Sequence, residues 1–395
     1  MAVSTGKPRV VMVARLFHPW VGGTERQAQT LARRLADRGT DVRIVTGRWF
    51  RGTDRRETLD GVAIFRHHTL WEGFGIRGLR TVGGYTYMVT LAWHLWRTRA
   101  SYDVIHVHGM NYHSAVAVRV GRLCRRPTIT KLANSGDASD VDKMRHDRQL
   151  RGARFFLREA LRSDRFIALN PMVVEELRAV GVPSGRITAL ANGVALDGVA
   201  PRRDHEVHGP AATAVYVGRL HAQKGLDTLL DAVALANRRS PGCLRLQLIG
   251  EGPERAALGA HAERLGLAGC VELCGLTEDV GERLRAADLF VLPSRAEGLS
   301  NALLEAMAHG LPVVVSDVPG NVDVVDDGVD GLVSPVGDPA ALADRLEQLM
   351  ADEPLRRRLG TAARAKVEAV YDLDLVVDSY EELYTALTAG VTGHG

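Results

Sequence analysis

The chain has 395 residues, 46% hydrophobic and 25% charged, with 41 glycines and 5% aromatics, a balance that excludes a disordered or fibrous chain and argues against an all-β one. The length suits two domains. A net charge of +3 hides an asymmetry: residues 1–200 carry 32 Lys and Arg against 17 Asp and Glu, residues 201–395 carry 18 against 30, so the first half can draw an acidic substrate, a phospholipid surface or a nucleic acid.

The chain opens on a buried strand at 9–14 (RVVMVA) and a loop, FHPWVGGTE, that feeds an amphipathic helix over about 24–38 with Leu31 and Leu35 on one face. The opening MAVSTGKPRVVMVARL lacks the apolar run of a signal peptide, so a cytoplasmic location is expected. Gly22 and Gly23 let backbone approach a ligand closely, and the helix start after them offers N–H groups to an anion. The loop lacks the G-x-G-x-x-G spacing of a dinucleotide site, which counts against an oxidoreductase.

Short β-branched runs follow at 42–45, 104–107, 128–130 and 165–168, most of them separated by helical stretches, and predict a parallel sheet with helices on both faces. The apolar stretch 85–96, interrupted by His94 and flanked by Arg77, Arg80, Arg97 and Arg99, falls short of the ~20 residues of a bilayer span. It predicts a buried helix, with a membrane-surface patch as the other reading. His106 and His108 share one face of their strand, a spacing that can chelate a metal, yet no carboxylate or Cys pattern accompanies them. His106 lies deeper in the strand and reads as structural. The four cysteines, Cys124, Cys243, Cys270 and Cys274, form no CxxC pair and read as buried free thiols.

Residues 192–210 contain Asn-Gly and His-Gly-Pro without apolar periodicity and read as an interdomain linker. A second cycle has strands at 213–217, 244–249, 271–274, 289–292 and 312–315, alternating with helices near 225–238, 253–266, 278–286, 301–309 and 338–350. The expected architecture is two Rossmann-like α/β domains, 1–198 and 199–370, with a terminal helix in 371–395 that crosses back to the first. Open parallel sheets bind ligands beyond the carboxyl ends of their strands, so the loops there, lining one interdomain cleft, should carry the chemistry.

Two segments of the second half do so. GRLHAQKG places Arg219 and Lys224 five residues apart after Gly218, where they can reach adjacent phosphates, Arg by its fork and Lys as a point charge. SRAEGLSNALLEAMA reads as loop then helix: Ser300 or Asn301 caps the helix and leaves first-turn N–H groups for a diphosphate. Glu305, one turn in, can accept hydrogen bonds from a neutral diol such as ribose. Glu297, in the loop, can bind sugar hydroxyls or stabilise positive charge at an anomeric carbon.

The Glu297-x7-Glu305 element within SRAEGLSNALLEAMAHGLPVV closely resembles the signature of family 4 retaining glycosyltransferases, the "group 1" enzymes of GT-B fold. The likeness runs on through VGRLHAQKGL, IGEGPE, Leu273-Cys274-Gly275, DGVDGLV and the Gly-Gly loop. It implies that Arg219 and Lys224 grip the diphosphate of a nucleotide-sugar and that Glu305 takes the ribose. Glu297 and the amides of Gly298, Leu299, Ser300 and Asn301 would hold donor sugar and phosphates, with Gly22 and Gly23 closing on them. The base would sit near Gly250, Gly275 and Leu276. Family members often show Phe-Pro where this chain has Leu299-Ser300. By the same resemblance His108 contacts the transferred sugar, and Asn134 and Asp137 face the acceptor. Asp140-Val141-Asp142 imitates the metal-binding DxD of the other glycosyltransferase fold, but an exposed acidic turn is the expected reading, and no metal or other cofactor is expected.

The resulting expectation is a retaining hexosyltransferase using a UDP- or GDP-sugar and a hydroxyl acceptor, in polysaccharide, glycolipid or glycoside biosynthesis, with an anionic glycan, lipid-linked acceptor or peripheral membrane contact admitted. The alternatives are a GT-B nucleotide-sugar hydrolase or epimerase and a non-catalytic membrane-surface scaffold. Nucleic acid is not an expected partner, because no basic stripe interleaved with aromatics is present.

Overall fold

The computed structural model describes residues 6–19, 22–69, 80–132, 134, 139–146, 152–201, 211–277 and 279–392. The chain divides into two compact units, Met1–Gly193 with Leu373–Gly395, and Val194–Asp372. Both are built on mainly parallel sheets, whose central strands, such as Val10–Ala14 and Leu289–Leu292, are short apolar runs buried along their whole length and so covered on two faces.

In the first unit an eight-stranded sheet runs in the order β3-β4-β2-β1-β5-β6-β7-β8. Its strands are β1 (Val10–Ala14), β2 (Val42–Arg48), β3 (Arg56–Leu59), β4 (Val62–His68), β5 (Val104–His108), β6 (Thr128–Lys131), β7 (Arg165–Ala168) and β8 (Ile187–Ala189). Only β3 is antiparallel, to β4. That edge hairpin lies outside the strands expected above, yet its turn is Asp60-Gly61 with both residues at positive φ, the usual two-residue hairpin signal. The helix Gly23–Asp37 buries Ala28, Leu31, Ala32 and Leu35. The terminal helix Leu373–Thr392 belongs to this unit. It is held by ion pairs of Asp374 with Arg34 at 3.1 Å and Arg38 at 2.6 Å, and of Glu381 with Lys7 at 2.7 Å. Tyr380 and Tyr384 of the same helix are buried.

The second unit's sheet runs β11-β10-β9-β12-β13-β14, with β9 (Ala212–Val217), β10 (Leu244–Ile249), β11 (Val271–Gly275), β12 (Leu289–Leu292), β13 (Val313–Ser316) and β14 (Leu332–Ser334). All its pairings are parallel, so every carboxyl end lies along one edge. The three-residue β8 and β14 had too little apolar pattern to be read in advance. Part of the supposed linker, 202–210, lies outside the described residues. Its first residues, Asn192 and Gly193, belong to the first unit and Val194 to the second, where Val194 bridges Asp372 and its N–H donates to the Tyr371 carbonyl at 2.8 Å.

Three sequence readings need correction. The four cysteines are free but half-buried rather than buried. Asp140 is not in an exposed acidic turn: it is buried in the first turn of the helix Asp140–His146, where its carboxylate accepts from Asn134. The stretch 85–96 is a helix, Arg80–Arg97, but only one side of it is buried. Among the described residues no helix is long and apolar enough to cross a membrane.

Candidate functional site

The edge of the second unit formed by the carboxyl ends of β9, β10, β11 and β12 carries most of the expected residues. Gly218 and Gly250 follow β9 and β10 at positive φ, and their backbones meet: a Cβ on Gly250 would lie 1.9 Å from the Gly218 carbonyl oxygen. No side chain fits there, so the glycines keep this edge open. The N–H of Gly218 donates to the Ile249 carbonyl at 3.0 Å and that of Gly250 to the Gly275 carbonyl at 2.8 Å, which ties the three loop starts together. Leu276 beyond them is 79% exposed. The buried Tyr216 hydroxyl donates to the Arg219 carbonyl at 3.0 Å, anchoring the backbone of Arg219, whose side chain is exposed. Among the described residues Arg219 has no ion pair.

After Arg219 the chain makes a 3₁₀ turn, Ala222–Lys224, ended by Gly225 at φ 64. A Cβ on Gly225 would lie 2.1 Å from the Pro293 carbonyl oxygen, so this turn is pressed on the loop after β12. Gln223 stitches the two loops, donating from Nε2 to the Ala296 carbonyl at 2.9 Å while its own carbonyl accepts from the Arg295 N–H at 2.8 Å. The Arg295 guanidinium caps the Ala222 carbonyl at 2.6 Å and pairs with Asp227 at 2.6 Å. The stitching brings Lys224 Nζ onto Glu297 Oε1, and Ser294 Oγ donates to the same oxygen at 2.6 Å. The cation and the carboxylate thus form one unit, with the Glu297 side chain only 7% exposed.

Ser300 is the N-cap of the helix Asn301–Ala308: its Oγ accepts from the Leu303 N–H at 3.3 Å. Glu305 sits half-buried on that helix. Gly298 and Leu299 are half-buried in the loop, with the Glu297 and Gly298 carbonyls packed on Gly320, where a Cβ would meet them at 2.5 and 2.6 Å.

In the first unit, Gly22 is the N-cap of the helix Gly23–Asp37 in extended conformation, with no side-chain cap, and burial pushes the Glu25 carboxyl up, against a lowering by its backbone hydrogen bond and Arg15. His108 ends β5 opposite Lys131 of β6. It is 3% exposed, its ring stacks on His106 at 4.3 Å, and neither ring nitrogen has a partner among the described residues. Burial, then Lys131 and His113, hold its pKa down at about 3. His106 bonds through Nδ1 to the Tyr384 hydroxyl at 2.8 Å, the structural role expected of it. Lys131 is buried with its Nζ 5.6 Å from the Tyr380 ring centre, and burial lowers its pKa to about 7. Asn134 donates to Asp140 at 2.8 Å, so its amide shapes the loop. Asp137 lies outside the described residues. No group of three or more His, Cys, Asp or Glu arranged to hold a metal occurs among the described residues.

The sequence reading missed Ser294, Gln223 and Arg295, although each lies inside or beside a motif it had singled out. It also passed over Lys131 as a member of the His108 layer, which needed the register of β5 on β6.

The two α/β units, the second carrying the glycine-lined edge and the Lys224–Glu297 pair, match known proteins in both sequence and fold. Residues 211–352 match the model described as glycosyl transferases group 1, and residues 22–193 match the glycosyl transferase 4-like domain. The chain belongs to the group 1 glycosyl transferases, with the GT-B fold. It is 36% identical over 173 residues to the lipopolysaccharide core biosynthesis glycosyltransferase LpsE of Rhizobium meliloti, a match covering 44% of this chain and 49% of that protein; the chain therefore spans about half the length of this curated relative. Among solved structures it is similar to sucrose-phosphate synthase from Thermosynechococcus elongatus, with a TM-score of 0.79 at 22% identity over 97% of this chain and 100% of that one. It is likewise similar to Anabaena HepE in complex with UDP and glucose, with a TM-score of 0.76 at 18% identity over 96% and 99%.

Proposed function

We infer that the protein is a retaining glycosyltransferase that moves a hexosyl group from a nucleoside-diphosphate sugar to a hydroxyl acceptor without a metal, in the assembly of a surface polysaccharide, glycolipid or glycoside. The observation that carries the reading is the Lys224–Glu297 pair, held by Ser294 beside the glycine edge and a capped helix start. A carboxylate placed beside a phosphate site would be repulsive unless a cation sits between and a neutral polyol is the ligand. Arg219, Lys224 and the N–H groups from Gly298 to Asn301 neutralise the departing diphosphate, Glu305 takes the ribose diol, Glu297 and His108 contact the sugar, and Gly22 and Gly23 approach the phosphates. Gly250, Gly275 and Leu276 flank the base, and Asn134 and Asp137 face the acceptor.

In the step itself the bond from anomeric carbon to phosphate oxygen breaks, the bond to the acceptor oxygen forms on the same face, and the acceptor proton passes to the leaving diphosphate. The relative that acts in lipopolysaccharide core synthesis and the neighbour that holds UDP and glucose support UDP as the nucleotide and a glycan or lipid-linked acceptor, and the inner face of a membrane is the place proposed for the reaction. A melting panel with UDP, GDP, ADP and their sugars tests the donor side, because a ligand bound only by the native state raises the midpoint by a shift equivalent to about 2.7 kcal/mol at a hundredfold excess over Kd. Product analysis tests the transfer: free sugar released in undiminished amount beside every acceptor tried defeats it in favour of a hydrolase.

A further inference from the structure

The helix Arg80–Arg97 has an outer face unlike that of an ordinary surface helix. Tyr87, Met88, Leu91 and Leu95 enter the core with Val11, Val45 and Ile105. On the other side the exposed positions within 82–96 are Val82, Tyr85, Val89, Trp93 and Trp96, spaced three and four apart on one stripe. All are apolar or aromatic. Val89 is 69% and Trp93 58% exposed, and the two indoles lie 5.3 Å apart. Water gains nothing from such a stripe, and a folded chain keeps one where something covers it.

The charges around it say what. From Arg80 to Arg126 the sequence holds seven arginines and one acid, Asp103, which is paired with Arg9 at 2.9 Å and Arg126 at 3.3 Å, while Arg119 pairs with Glu159 at 3.5 Å. The Arg99 guanidinium lies 4.9 Å from the Trp96 ring, and its carbonyl accepts from Arg126 Nε at 3.1 Å. That bond ties the chain just after the neighbouring helix Tyr112–Cys124, with its exposed Arg122 and Leu123, to Arg99. Paired indoles next to the exposed Arg97, Arg99, Arg122 and Arg125, none of which has an ion pair among the described residues, are the chemistry of a bilayer interface with acidic headgroups.

We propose that the Val82–Trp96 face docks flat on an anionic lipid bilayer, without crossing it. The proposal rests on the transferase reading for its biological sense, since it names the surface on which a lipid-linked acceptor would be presented, but it is tested independently. Full-length protein is floated with vesicles of equal parts phosphatidylglycerol and phosphatidylcholine, and with phosphatidylcholine alone, at low and raised salt. Flotation is expected with the anionic vesicles, weakened by salt. The double variant Val89→Asp, Trp93→Ser is expected to bind at least about tenfold less, with an unchanged melting point and an unchanged UDP shift, since both side chains are exposed. A variant that floats as well as the wild type, or a wild type that never floats, overturns the proposal. So does a concentration-dependent dimer that the variant dissolves without lipid involvement, which would assign the face to a second copy of the chain. A missing UDP shift with flotation intact defeats only the transferase reading.

Discussion

At the scale of single residues, the site contrasts two carboxylates. Glu297 is tied to Lys224 and Ser294 in a loop, whereas Glu305 rides on a rigid helix. Glu305→Ala is expected to abolish stabilisation by the donor nucleotide in a melting assay. Glu297→Gln is expected to keep that stabilisation but slow turnover about 10²-fold, the usual loss when one electrostatic contact to a transition state is removed. Equal turnover in both variants would contradict the assignment. Gly250→Ala drives a methyl into the Gly218 carbonyl and should cost about 3 kcal/mol in denaturant unfolding, the upper end of ordinary substitutions. The residue types were legible in the sequence, because a strand, a loop and a capped helix in that order position them locally. The Lys224–Glu297 bond was not, since it joins loops 73 positions apart and depends on Gln223 and Arg295 holding them.

At the scale of elements, buried titratable groups on β5, β6 and the helix Tyr112–Cys124 couple the fold to pH. His108 and His113 have pKa values held at about 3 and Lys131 at about 7, all chiefly by burial. In each the folded form releases its proton more readily than the unfolded chain, so unfolding takes up protons and stability rises with pH. For the histidines that window runs from about 3 up to the ordinary 6.5, and for Lys131 from about 7 up to 10.5. Acidification below pH 6.5 should therefore destabilise the protein, and Lys131→Met should flatten the rise above pH 7; urea titrations across pH measure both. Tyr384→Phe removes the partner of His106 Nδ1 and should cost about 1–3 kcal/mol, because a buried polar atom is left unsatisfied. His108 was visible as a strand-end residue, but the tyrosines behind it belong to a helix more than 270 residues away.

At the scale of the whole molecule, the two units are separate sheets joined where the chain passes from Gly193 to Val194 and from Asp372 to Leu373. In the proposed reaction Arg219, Lys224 and backbone N–H groups would supply the positive charge in place of a metal. Transfer activity should accordingly survive exhaustive dialysis against EDTA, and a tenfold or greater loss restored by a divalent cation would refute that expectation.

The sequence by itself determined the strand-helix alternation, the glycine turns at strand ends and the Glu297-x7-Glu305 element, because these follow from local periodicity and from spacing within a single loop and helix. Tertiary structure alone decided which strand is the edge, that Asp140 is buried while the outer side of the helix Arg80–Arg97 is bare, and which cation meets which carboxylate. An amphipathic pattern says that one face is apolar, whereas coverage of a face depends on neighbours distant in sequence, and only packing brings those neighbours together.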